Sequence, residues 1–271
     1  MSVIVAPNED QVAILETVRR FCEDVVAPLT ADLDQQKDPA DGFSWEIIER
    51  ADEVGLRNLT LSEKYDGLGA DSLTTAMVIE ELGKFDLGIS VVFAQTLKLV
   101  QILQSATTPV QQEKYLPLYR DNPRALLAIG ITEPETASNY FLPKRAKAPF
   151  HTTAERGDGG WIVNGMKHFI SNGNRANLYF LFAQTEKGKP LDQAATCFLL
   201  ERDTPGFSIG RVHDKMGERL ANNAELIFEN CFIPDENVVG EVGNGFDVLV
   251  KFFPQSNAYA AASILGVAGA A

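Results

Sequence analysis

The sequence predicts an α+β protein: an all-helical N-terminal domain, a β-barrel-like middle domain and the start of a C-terminal helical bundle. Three observations carry this. Apolar residues recur at steps of three and four through the first 120 or so positions, short β-like runs fill residues 125–232, and helical periodicity returns at Gly245. The expected domains are 1–124, 125–239 and 240–271.

Within the first domain, Val12, Leu15, Val18, Phe21, Cys22 and Val25 mark one apolar face between Glu9 and Ala27. Pro28 is expected to end that helix. Phe43 to Val54 repeats the pattern. Tyr65-Asp66-Gly67-Leu68-Gly69 breaks the chain, and Asp71 or Ser72 can cap a helix running to about Phe85. Gly88 to Ser105 has only Lys98 as a charge, which implies a helix inside a bundle. Pro109 opens one more short helix.

The middle domain reads as the strands ALLAIGIT, GWIVNG, ANLYFLFAQT, ATCFLLE, FSIGRV and AELIFENCFI. Gly157-Asp158-Gly159-Gly160 and Asn164-Gly165 read as hairpin turns. The last helix, from Gly245, ends on Gly-Val-Ala-Gly-Ala-Ala with nothing polar to stop it, so the chain is expected to break off inside a larger bundle.

Composition narrows the function. With 24 basic and 37 acidic side chains the formal charge is −13, which argues against nucleic acid and against an anionic membrane surface. Cys22, Cys197 and Cys231 are dispersed and expected to be buried thiols. His151, His168 and His213 show no metal-ligand spacing, so no metal is expected. The N-terminus lacks a secretory pattern, and no run reaches the roughly 18 apolar residues of a membrane span; a cytoplasmic protein is expected.

Two segments carry chemistry. Ile131-Thr132-Glu133-Pro134-Glu135-Thr136-Ala137-Ser138-Asn139 leaves a strand with three hydroxyls and turn-prone amides, suited to a flavin edge and a pyrophosphate. In Asn164-Gly165-Met166-Lys167-His168-Phe169-Ile170-Ser171-Asn172-Gly173, two Asn-Gly turns bracket a short strand that puts Phe169 and Ser171 on one face. An aromatic beside a hydroxyl suits an isoalloxazine ring.

These segments resemble the "LTEPxAGSD" and "NGxKxWITNG" signatures of the acyl-CoA dehydrogenases. Tyr65-Asp66-Gly67-Leu68-Gly69 resembles that family's "YGGLG" turn, and TTPVQQEKYLP and FENCFIPDENVVGEVGNGF flank the two signatures in the family's order. The resemblance implies FAD held between the middle domain and a C-terminal four-helix bundle. Thr132 would bond the pyrimidine edge, Ser138 would face the pyrophosphate, and Ala137 would belong to the same cofactor-binding loop. Phe169 would stand against the ring and Ser171 near its N5. The backbone of Ile129 and Ile131 would pass beside ring and substrate. Ser138 and Asn257 fall at positions that meet the substrate.

The implied activity is α,β-dehydrogenation of an acyl-CoA, hydride passing from the β-carbon to FAD N5 while a carboxylate takes the α-proton. The implied partners are electron-transfer flavoprotein and further copies of the chain, as a homotetramer or homodimer. Four departures stand out: Phe169 for Trp, Ala137 for Gly with Asn139 for Asp, Asn257 for an arginine that contacts CoA, and a catalytic base that would lie beyond Ala271. Glu133 and Glu135 are expected to be structural. The alternatives are a related flavin oxidase or monooxygenase, a dehydrogenase of carrier-protein thioesters, and a non-catalytic remnant or binding protein. A reading frame continuing past Ala271 would remove the last.

Overall fold

The computed structural model describes residues 6–137 and 150–271. The first domain contains α1 (Glu9–Phe21), α2 (Ala27–Asp34), α3 (Trp45–Glu53), α4 (Ser72–Gly83), α5 (Leu87–Ala106) and α6 (Pro109–Asp121). Side-chain caps set their starts: Asn8, Ser44, Asp71, Asp86 and Thr108 each accept a backbone N–H from the first turn. Pro28 does not end the first helix as expected. A π-helical turn, Cys22–Val26, joins α1 to α2, and Pro28 stands in the first turn of α2.

α5 is long and apolar enough to cross a membrane by length and composition, contrary to the expectation that no segment qualifies. Most of it is buried within the protein, where it supplies Val92, Phe93, Leu97, Leu99 and Leu103 to the core.

The middle domain is an eight-stranded sheet: β1 (Leu127–Gly130), β2 (Thr153–Gly157), β3 (Gly160–Ser171), β4 (Leu178–Gln184), β5 (Ala195–Glu201), β6 (Phe207–Val212), β7 (Asn223–Pro234) and β8 (Val238–Val239). A short α7 (Leu191–Ala194) precedes β5. Its order is β6-β7-β3-β2-β4-β5-β8, with β1 parallel to β4. The sheet ends at β6 and β8, so it is barrel-like without closing. β4 is buried on both faces. Its Leu178, Phe180 and Phe182 join a core with α5 and α6, while Tyr179, Leu181 and Ala183 join the core of the opposite face.

Gly157 and Gly160 close the β2–β3 hairpin as expected. Asn164-Gly165 does not turn the chain. It is a bulge inside the long β3, where the register against β7 shifts. Gly165 has φ +134°, and a Cβ there would lie 2.6 Å from Thr152 Cα. The glycine serves close strand approach rather than a hairpin.

The last helix, α8 (Phe246–Ala270), lies on α4 and α5. Contact is backbone to backbone: a Cβ at Gly266 would meet Glu80 O at 2.2 Å, and one at Gly83 would meet Ser263 O at 2.5 Å. Ser90 Oγ and Ser263 Oγ are hydrogen-bonded at 2.8 Å beside them. Gly266→Val is therefore expected to separate α8 from α4 and to lower stability by about 1–3 kcal/mol, read from the urea midpoint. An unchanged midpoint would show that the helices do not need this approach.

Candidate functional site

The two signature segments meet in space. β1 delivers Ile129 to the sheet, the buried Ile131 follows its last residue, and β3 runs alongside the loop beyond. His168 N donates to Thr132 O at 2.8 Å, and Thr132 Oγ1 donates to His168 O. Thr132 is thus fixed against the residue preceding Phe169. Glu133 and Thr136 exchange backbone hydrogen bonds of 2.8 and 3.2 Å across a tight turn. Ser138 and Asn139 lie outside the described residues, so the expected pyrophosphate contact falls beyond this description.

Below the loop is a buried ion pair absent from the sequence reading. Lys167 Nζ donates to Glu133 Oε1 at 2.6 Å and to Ile131 O at 3.1 Å, with neither charged side chain exposed. His151 N and Thr152 N donate to Glu133 at 2.6 and 3.1 Å. Burial alone would raise the Glu133 carboxyl; the Lys167 charge and these bonds outweigh it and hold it below the usual carboxylate range. Burial pushes the Lys167 ammonium down to about 8 against the pull of Glu133. Glu133, with both oxygens engaged, is structural, and Glu135 is exposed beside His151.

Phe169 interrupts β3 in a left-handed conformation, φ +56°, between the register shifts at Lys167 and Ile170. Such a conformation is strained for an aromatic residue and concentrates at functional positions. It leaves Phe169 57% exposed in a protein whose other phenylalanines are mostly buried. One face of the ring is backed by His213, with centroids 4.2 Å apart and planes inclined by 25°. Asn223 Nδ2 donates to Phe169 O at 3.1 Å and to Ser171 Oγ at 3.3 Å, linking the two residues. The physical signal for Asn223, a partner on the neighbouring strand, was invisible without the β3–β7 register.

Three features fit a flavin: the exposed aromatic, the Ser171 hydroxyl two residues on, and buried polar atoms Thr136 Oγ1 and Asn223 Oδ1 with no hydrogen-bond partner among the described residues. Asn257 is exposed on α8, a separate element. A cavity of about 510 Å³ lies between α6 and the β5–β6 connection; none of Thr132, Phe169 and Ser171 lines it. The structure also gathers His168, His213 and Glu225, which lie far apart in the sequence.

A helical domain before a mixed sheet, with this loop and exposed aromatic side by side on the sheet, is an architecture that suits a flavoprotein. The family models confirm the lineage: the acyl-CoA dehydrogenase N-terminal domain matches residues 8–121 and the middle domain residues 128–231. The chain belongs to the acyl-CoA dehydrogenase family. It is 32% identical over 262 residues to a short-chain-specific acyl-CoA dehydrogenase of Megasphaera elsdenii, covering 95% of this chain and 65% of that protein. The chain therefore spans about two thirds of that relative.

Among solved structures, butyryl-CoA dehydrogenase from Megasphaera elsdenii superposes with a TM-score of 0.89 at 30% identity, over 99% of this chain and 68% of the other. The prolyl acyl carrier protein oxidase AnaB gives 0.84 at 26% identity, over 98% and 68%. PigA in its FAD complex gives 0.86 at 26%, over 99% and 67%.

Proposed function

We propose that this chain forms the flavin-facing part of an enzyme that α,β-dehydrogenates an acyl-CoA thioester. The observation that carries the reading is Phe169, held exposed at positive φ between Thr132 and Ser171 by the bonds described above. FAD, when bound, supplies the hydride acceptor. Phe169 offers its open face to a planar ring, while His213 supports the other face. Ser171 presents a hydroxyl beside that ring, and the backbone of Ile131 to Ala137 borders its edge. Lys167 and Glu133 fix the height of that loop over the sheet.

The α-proton is proposed to leave to a carboxylate in sequence beyond Ala271, because Glu133 is fully engaged and Glu135 pairs with exposed His151. Electron-transfer flavoprotein is the proposed acceptor, and a homodimer or homotetramer the proposed assembly. A second reading, an oxidase or a dehydrogenase acting on carrier-protein thioesters, draws support from the likeness to AnaB and from Asn257, whose amide carries no charge for CoA phosphates.

FAD titration followed by flavin fluorescence tests the site. The 271-residue chain is expected to bind FAD weakly and to turn over no acyl-CoA. Phe169→Ala should weaken binding by about 0.5–1.5 kcal/mol, roughly 2–10-fold in Kd. Equal affinity in both proteins would remove Phe169 from the site. In protein of the relatives' full length, anaerobic bleaching of flavin by butyryl-CoA supports the dehydrogenase. Peroxide formation with a carrier-bound thioester, and no reaction with butyryl-CoA, would transfer the assignment to the second reading.

A further inference from the structure

We propose that His168, His213 and Glu225 form a binding site for a divalent transition cation of the Zn²⁺ class. The three side chains come from β3, from the residue following β6, and from β7, which are neighbours in the sheet order β6-β7-β3. One donor atom from each lies within 4.8 Å of the others, and His168 Nε2 stands 3.2 Å from Glu225 Oε1. Metal–ligand bonds of about 2.0–2.2 Å set tetrahedral donors roughly 3.2–3.6 Å apart, so the set closes on a cation with a shift of about 1 Å. Two imidazoles and one carboxylate are the donor set that such cations accept, with coordination positions left open.

A second observation points to a ligand. His213 is only 8% exposed, yet its Nε2 has no hydrogen-bond partner among the described residues. A buried imidazole nitrogen left unpaired calls for an explanation. A simple His168–Glu225 ion pair leaves that atom unexplained; a shared cation satisfies it. The surroundings already position the ligands. Glu225 Oε2 accepts from Arg211 N at 3.1 Å, His168 N donates to Thr132 O at 2.8 Å, and His213 N donates to Asn223 O at 2.8 Å. Arg211 and Lys215 carry positive charge near His213 and oppose a cation, while Glu225 supplies the compensating negative charge. The expected affinity is therefore below that of four-ligand structural zinc sites.

Bound metal would clamp three strands directly behind Phe169, on which the His213 ring stacks. The site stands on strand geometry alone, so its failure would leave the flavin reading untouched.

The test uses the whole chain, stripped with chelator and titrated with Co²⁺. One equivalent is expected, with visible d–d absorption that Zn²⁺ abolishes. Cu²⁺ in the unmodified protein should give an electron paramagnetic resonance spectrum split by two imidazole nitrogens, which requires no variant. His213→Gln and Glu225→Gln, checked for native circular dichroism, should each weaken Co²⁺ binding by more than about tenfold, while His151→Gln should not. Less than one equivalent bound, a Cu²⁺ spectrum without two nitrogens, or equal Co²⁺ affinity in folded His213→Gln and Glu225→Gln proteins would overturn the site.

Discussion

Glu133→Ala is expected to lower the unfolding free energy by about 3–5 kcal/mol, because it strands the Lys167 ammonium in the interior. Lys167 is fully buried, and its remaining neighbours would be Ile131 O and the Phe150 ring, 3.8 Å from Nζ. The amides of His151 and Thr152 would also lose their acceptor. Urea unfolding of the variant measures this directly. Pairing Glu133→Leu with Lys167→Met should recover much of the loss, since an apolar pair avoids the desolvation of both charges. A double variant as unstable as Glu133→Ala would show that the loop needs the carboxylate itself.

The same pair predicts an acid response. The Glu133 carboxyl titrates below its ordinary value of 4.5 in the folded protein. The folded state thus binds its proton less readily than the unfolded chain. Its contribution is complete above the ordinary value and disappears as pH falls through the folded one. The stability gap between the unmodified protein and Glu133→Gln should accordingly narrow in acid. A gap that is constant with pH would place the stabilisation elsewhere.

Arg57→Met is expected to cost a similar amount, on the order of 3–5 kcal/mol. The Arg57 side chain is fully buried and donates to Tyr119 O and Arg120 O, both at 2.7 Å, and to Asp52 Oδ1 at 2.8 Å. The two carbonyls belong to the last turn of α6, which has no internal donors for them. The guanidinium also lies 4.5 Å from the Tyr119 ring centroid. Methionine fills the volume but satisfies none of these acceptors. The same region holds Tyr65-Asp66-Gly67-Leu68-Gly69, tied to α6 by Arg120 and Asp66 at 3.0 Å. Hydrogen exchange should rise in both α6 and residues 57–70. Loss confined to one would show that Arg57 does not couple them.

Much of this protein was legible in its sequence. Periodicities of three to four and of two residues follow from local geometry, so α3 to α6, β4, β5 and the Gly157–Gly160 hairpin fell where the pattern put them. The paired signatures identified the family because their residues are contiguous in the chain. The limits of α1 were less accessible, since a π turn is set by packing rather than by composition. Asn164-Gly165 has the sequence of a turn, and only pairing with β7 makes it a bulge.

The tertiary structure alone decided what lies behind the two signature segments. Nothing in the sequence joins Lys167 to Glu133 until β1 and β3 are placed side by side. His168, His213 and Glu225 read as unrelated until β6, β7 and β3 lie in order. Phe169 could be read from the sequence as an aromatic suited to a planar ring, but its positive φ and its support by His213 could not. The physical reason is common to all of them. Hydrophobic period and turn chemistry are encoded between near neighbours, whereas burial of a charge or convergence of ligands depends on strand register.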